Sequence, residues 1–117
     1  MGIMKKTDVD LQGSLPGGVT QAQIGHWKSR WGEVNQITVT LDDGRVVAGY
    51  FKKPNLETIA AASRFMDSDP IRGGSVVMEN CWLGGDEEIK TNDEVKFSVL
   101  LQVNKLFRIL ETQVKKM

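Results

Sequence analysis

The strongest constraint on the fold is a run of apolar residues at helical spacing near the C-terminus. Between residues 93 and 116, large apolar side chains recur every three or four positions, at Val99, Leu100, Val103, Leu106, Phe107, Leu110 and Val114. Side chains at this spacing share one face of an α-helix, and such a helix buries its apolar face against other elements. The pattern therefore predicts a final amphipathic helix from Asp93 to Lys116, capped by Asn92 or Asp93.

The sequence of the N-terminal half predicts a short helix followed by a β-hairpin. A helix over residues 20–31 would place Trp27 and Trp31 on one side, and we expect both tryptophans in the core. Val34, Ile37, Val39 and Leu41 lie at nearly alternate positions, Asp42-Asp43-Gly44 follows as a turn, and residues 45–52 are rich in β-forming residues. This pattern predicts a hairpin of two antiparallel strands.

Two further helices are expected between the hairpin and the last helix. Pro54 ends the second strand and begins a helix that closes near Asp67. Asp69-Pro70 is a start signal for the next helix, whose apolar face comprises Val77, Met78, Cys81 and Trp82. Gly73-Gly74 weakens this helix, and the stretch 84–88 breaks it as an exposed acidic loop.

The predicted fold class is α+β, with the order α-β-β-α-α-α in a single small domain. A chain of 117 residues fits one core. We expect residues 19–117 to form the domain and residues 1–18, which lack an apolar period and end in Leu15-Pro16-Gly17-Gly18, to be a flexible arm.

The chain offers few groups for chemistry. Cys81 is the sole cysteine and His26 the sole histidine, whereas metal sites and activated nucleophiles need several such residues together. We interpret Cys81 as a buried small side chain and the acids Asp86, Glu87 and Glu88 as a solvated loop. The sequence therefore predicts no enzyme activity, no cofactor and no metal site.

Composition also narrows the classes of partner. Fifteen basic residues balance fifteen acidic ones, which disfavours binding to nucleic acid. No apolar run approaches the roughly 20 residues that span a bilayer. With one cysteine and no apolar leader, a soluble protein of a reducing cytoplasm is expected.

Phe97 and Leu101 are four residues apart, but they lie opposite the main apolar stripe of the last helix. Two interpretations are open. The favoured one is that the third helix or the acidic loop covers both side chains. The alternative is that they are exposed and form a contact patch for a partner.

Two runs of sequence resemble a family of phage tail assembly chaperones. The first run is 50–63, YFKKPNLETIAAAS, and the second run is 80–94, NCWLGGDEEIKTNDE. Trp27-Lys28 and the hairpin from Ile37 to Phe51 are also similar to the opening of that family, so the resemblance spans residues 20–110.

The resemblance implies a non-enzymatic chaperone of the host bacterial cytoplasm. Such a protein binds the long helical tape measure protein, keeps it soluble, helps the tail tube protein assemble around it, and is absent from the mature virion. We expect Phe97, Leu101, Trp82 and Leu83 to contact the partner, and self-association is possible. The alternatives are a small structural component of a virion and, less favoured, an enzyme that uses Cys81 or the acidic loop.

Overall fold

A computed structural model describes residues 15–107 and 112–117, and it shows a three-stranded antiparallel sheet with helices on both faces. The elements are α1 (Gln21–Trp31), β1 (Val34–Thr40), β2 (Val46–Lys52), α2 (Leu56–Ser63), α3 (Pro70–Cys81), β3 (Trp82–Gly85), α4 (Glu88–Thr91) and α5 (Asp93–Gln102), with 3-10 helices at Pro16–Gly18 and Val103–Leu106. The predicted α+β class, its single small domain and the order of its first elements are confirmed. The strand β3 and the short helix α4 are additions to the predicted order.

The predicted hairpin pairs in full register. Val34 lies opposite Lys52 at one end and Thr40 opposite Val46 at the other. Gly44 closes the turn with φ +87, a conformation that costs glycine little. The turn residues, the alternation in β1 and the β-forming residues of β2 all favour this pairing, which explains why the hairpin is readable from sequence.

The central strand β2 is buried on both faces. Val47 and Phe51 point into the larger core with α3 and α5, whereas Ala48 and Tyr50 point into a smaller cluster beneath α1. Trp27 of α1 lies 6.0 Å from Tyr50, measured between ring centroids. The sheet is thus the middle layer between α1 and the other helices.

The region after α3 differs from the predicted exposed loop. The helix ends at Cys81, and Trp82 begins β3, which pairs with β2 across a bulge between Tyr50 and Phe51. A Cβ on Gly85 would collide with the carbonyl oxygen of Ala48. The glycines at this point therefore allow two strands to approach closely instead of ending a helix in a loop.

The last helix is shorter than predicted. It ends at Gln102 and continues as a 3-10 helix to Leu106, while residues 112–117 have no regular secondary structure. Side chains three apart eclipse in a 3-10 helix, so Val103 and Leu106 both reach the core without a longer α-helix. Leu110 of the predicted stripe lies outside the described residues.

The predicted N-terminal arm is partly packed. Residues 1–14 lie outside the described part of the chain. Leu15 and Val19 form an isolated antiparallel β-bridge, and Pro16–Gly18 contacts β2 and β3. The Tyr50 hydroxyl donates a hydrogen bond of 2.8 Å to the Pro16 carbonyl. Residues 15–18 are therefore part of the packed domain.

Gly73 and Gly74 lie inside α3 and do not interrupt it. Both are buried, and a Cβ on Gly74 would approach the Leu100 carbonyl oxygen of α5 to 2.8 Å. That is too close for ordinary van der Waals contact with a backbone atom. Gly74 thus permits α3 and α5 to pack closely, while Gly73 permits the close approach of Ala62 in α2 and of Met66.

We predict that Gly74→Ala lowers the free energy of unfolding by about 1–2 kcal/mol, since the overpacking cost exceeds the gain in helix propensity. The matched control is Gly25→Ala in α1, where a Cβ would meet no atom within 4 Å. This control should raise stability by up to about 1 kcal/mol. Urea denaturation of both variants measures the difference, and equal effects would contradict the close packing.

Candidate functional site

The face of α5 that points away from the core carries two large apolar side chains. Asn92 caps the helix, because its side-chain oxygen accepts hydrogen bonds from the N–H groups of Glu94 and Val95. Val95, Val99 and Leu100 are buried on the inner face. The cap and this inner face together fix the rotation of the helix about its axis.

Phe97 and Leu101 lie one turn apart on the outer face of α5, with 52% and 50% of their surfaces exposed. The favoured expectation that another element covers them is wrong. The reason is geometric: α3 packs against the side of α5 that carries Leu100, and the acidic stretch folds back onto β2. We define Phe97 and Leu101 as the α5 patch.

Trp82 and Leu83 do not join the α5 patch. Trp82 packs against the larger core and meets Phe51 edge to face at 5.6 Å, whereas Leu83 packs into the smaller cluster under α1. Successive residues of a strand point to opposite faces, so these two cannot form one contact surface. Trp82 also lines a hollow of about 250 Å³ with Met78 and Lys96, on the α3 side of α5.

The two tryptophans of α1 have different environments. Trp27 is half-buried over the sheet, which confirms its predicted packing role. Trp31 is 41% exposed, and the Lys52 ammonium lies 3.8 Å from its ring centroid. The prediction that Trp31 lies in the core is therefore wrong, because a cation rather than the core covers its ring.

Cys81 is fully buried in the larger core. Burial raises the pKa of its thiol, while the nearby Lys52 opposes this shift. A higher pKa leaves less of the nucleophilic thiolate at neutral pH. The location supports the interpretation of Cys81 as a packing residue.

The acidic residues after β3 bind to the hairpin. The Ala48 N–H donates to the Asp86 carboxylate at 2.9 Å, and the Asp86 N–H donates to the Ala48 carbonyl at 2.9 Å. Arg45 donates from one guanidinium to both oxygens of Glu88, at 3.0 and 3.4 Å. Asp86 is half-buried and Glu87 exposed, so the loop is solvated only in part.

Arg45 also contacts Asp43 in the hairpin turn. The Arg45 backbone N–H and its guanidinium both donate to the Asp43 carboxylate, and they lower the pKa of that carboxyl. These exposed pairs contribute little to stability individually. Their geometric effect is to hold the turn and α4 together.

Two further properties concern the described residues. No helix within residues 15–107 is long and apolar enough to cross a membrane. Among the same residues, and residues 112–117, no three His, Cys, Asp or Glu side chains are placed to hold a metal ion.

Comparison with known proteins gives information on the fold. No family model and no curated protein matches the chain. The structure is similar to that of an uncharacterised protein from Bacillus stearothermophilus, with a TM-score of 0.52 and 16% sequence identity. The match covers 79% of this chain and 99% of the other. At this level of identity the similarity shows a shared fold alone.

We predict that Cys81 is inert towards a thiol reagent such as Ellman's reagent in the folded protein at pH 7–8, because the thiol is buried and its pKa is raised. Denaturant should release full reactivity, and the native rate should rise with pH as more thiolate forms. Stoichiometric labelling within seconds at neutral pH, with the fold intact by circular dichroism, would contradict the packing role.

We predict that Asp86→Ala lowers the free energy of unfolding by about 1.5–3 kcal/mol, because the half-buried carboxylate accepts a hydrogen bond from the Ala48 N–H. Glu87→Ala is the matched control in the same segment. Its side chain is exposed and should change stability by no more than about 0.5 kcal/mol. Thermal and chemical denaturation compare the two variants. Equal losses in the free energy of unfolding would show that the Asp86 side chain does not hold β3 against β2.

Proposed function

We propose that this chain is a non-enzymatic assembly chaperone of a phage tail, which binds the tape measure protein through the α5 patch. The observation that carries the proposal is the half-exposed pair Phe97 and Leu101, one turn apart on a helix whose opposite face is buried. The partner would be a long helix with its own apolar stripe, and the bound state would keep that stripe away from water.

The geometry of the patch fits this class of partner. Two large apolar side chains separated by one turn form a ridge along α5, and such a ridge packs into the groove between side chains of another helix. A patch of two residues gives weak affinity by itself. Many copies along one long tape measure protein would coat it tightly, because each bound copy adds to the coverage of the same chain.

The sequence provides independent support. The runs 50–63 and 80–94 resemble tail assembly chaperones, and in this structure they form the end of β2 with α2 and the segment from β3 to the start of α5. The second run therefore contains the cap that orients α5. The second run thus comes directly before the α5 patch in the sequence.

The residues that could take part in a reaction make structural contacts. Cys81 is buried, Asp86 bonds the backbone of β2, and Glu88 pairs with Arg45. Each contact explains the residue type without a reaction. These contacts favour a binding protein over the enzyme that would use Cys81 or the acidic segment.

We also propose that the protein acts in the host bacterial cytoplasm and assists the tail tube protein as it polymerises. The alternative is a small structural component of the virion. The two differ in where the protein ends up, because a chaperone leaves the finished tail. Mass spectrometry of purified particles distinguishes them.

We predict that co-expression with the tape measure protein encoded beside this chain makes that partner soluble and that the two co-purify. Phe97→Asp with Leu101→Asp should abolish co-purification, since each charge costs about 2 kcal/mol or more at an apolar contact. Both side chains are half-exposed, so the double variant should fold.

The matched control is Leu56→Asp with Ile71→Asp. These side chains are also exposed, at 80% and 38%, and both lie in the first turn of a helix, where an acidic residue is favourable. The control pair should co-purify like the unmodified chain. A partner that remains insoluble, or binding that only the control pair abolishes, would contradict the proposal.

A further inference from the structure

The outer edge of the sheet at β1 is open along a long groove. Within the described residues, β1 pairs with β2 alone. Beside it runs a groove of about 570 Å³, with β1 residues 35–40 as one wall and Ser98, Gln102, Lys105 and Leu106 as the other. The seven residues of β1 span about 24 Å, so a second extended segment has room to lie beside them.

The outward backbone groups of β1 can be assigned from the hydrogen-bond alternation. The Leu41 N–H donates to the Arg45 carbonyl at 2.8 Å, and hydrogen-bonded pairs recur at every second residue of an antiparallel ladder. Ile37 and Val39 therefore bond inward to β2. It follows that the N–H and C=O groups of Gln36, Thr38 and Thr40 point to the outer edge.

A second observation agrees with this assignment. Thr38 lies opposite Ala48, and the backbone N–H and C=O of Ala48 both bond Asp86, on the side of β2 away from β1. The pair Thr38 and Ala48 is therefore a non-hydrogen-bonded one. The backbone of Thr38 must face outward.

The residues of β1 itself include none of those that usually prevent strand pairing. Natural edge strands carry lysine, proline, charged residues or bulges that block a second chain. The sequence of β1, Val-Asn-Gln-Ile-Thr-Val-Thr, has no charge, no proline and no glycine. By contrast, the opposite edge β3 is four residues long and ends in two glycines.

We propose that β1 pairs antiparallel with β1 of a second copy of this chain, which joins two three-stranded sheets into one sheet of six strands. A two-fold axis at Ile37 pairs all seven residues, with Val34 opposite Thr40 of the partner. It also pairs Gln36 with Thr38, and both residues have outward backbone groups. Because the strand is uncharged, self-pairing brings no like charges together.

Two charges on the helical side of the groove, Glu94 in α5 and Lys105 in the 3-10 helix that follows it, favour a second copy as the occupant. Glu94 lines a hollow with Leu41 and Asp42 at the Thr40 end of β1, whereas Lys105 lines the long groove that reaches Asn35. The same two-fold axis reverses these ends in the partner. Lys105 of one copy therefore approaches Glu94 of the other at both ends of the joint sheet.

The first test measures mass by sedimentation equilibrium over a range of concentrations, without any tape measure protein. The unmodified chain should approach twice 13.0 kDa, whereas Thr38→Lys should remain at 13.0 kDa because a lysine blocks the edge. Ser29→Lys, at an exposed position of α1, is the matched control and should associate normally. A single mass of 13.0 kDa at every concentration, or a dimer that persists in Thr38→Lys, would overturn the proposal.

Hydrogen exchange of the unmodified chain tests the pairing without any variant. The amides of Ile37 and Val39 should be protected at all concentrations, and those of Gln36, Thr38 and Thr40 should become protected only as the dimer forms. If the amides of Gln36, Thr38 and Thr40 exchange freely in the dimer, the dimer contact is not at β1 and the proposal is wrong. If they gain protection only when a tape measure fragment is added, the edge binds that partner and self-pairing is wrong.

A charge exchange tests the register. Lys105→Glu should weaken the dimer by placing two acids together, and Glu94→Lys with Lys105→Glu should restore it. Weakening without recovery would contradict the two-fold axis at Ile37. None of these experiments involves the α5 patch, so their failure is distinguishable from failure of the proposed function.

Discussion

The burial of β2 on both faces is the constraint on which the rest of the structure depends. Val47 and Phe51 need the larger core on one side, and Ala48 and Tyr50 need α1 and the Pro16–Gly18 turn on the other. A strand with both faces apolar must be the middle of three layers. Every other element is positioned by contact with this strand or with the helices that cover it.

This arrangement determines which surfaces are available for binding. Because α3 approaches α5 closely at Gly74, the opposite face of α5 points outward and carries the α5 patch. Because β2 is the central strand, β1 and β3 are both edges of the sheet, and β1 is the longer one, with seven residues against four in β3. Under our two proposals, a dimer joined at β1 would present two α5 patches to one long helix, which strengthens binding through effective concentration.

Sequence predicts the parts of this fold that rest on local chemistry. Asp69 and Asn92 cap helices and Gly44 closes the hairpin turn, and each of these roles depends only on residues close by in the sequence. The sequence does not indicate the third strand, because the four residues Trp82–Gly85 show no alternation and end in glycines. Sequence alone does not explain the glycine pair in α3, since the atoms that crowd it come from other parts of the chain: Ala62 and Met66 at Gly73, and the Leu100 carbonyl at Gly74. The favoured expectation that Phe97 and Leu101 are covered is wrong for a similar reason, because helical spacing gives the face of a helix but not what packs against it.

The most direct test of the central claim is site-specific photo-crosslinking to the tape measure protein. A photoreactive phenylalanine analogue at position 97 would report contact on the α5 patch, and the same analogue at position 56, which is 80% exposed on α2, would report non-specific proximity. Our account predicts a crosslink from position 97 and none from position 56. Crosslinks from position 56 alone, or equal yields from both positions, would show that the α5 patch is not the binding surface.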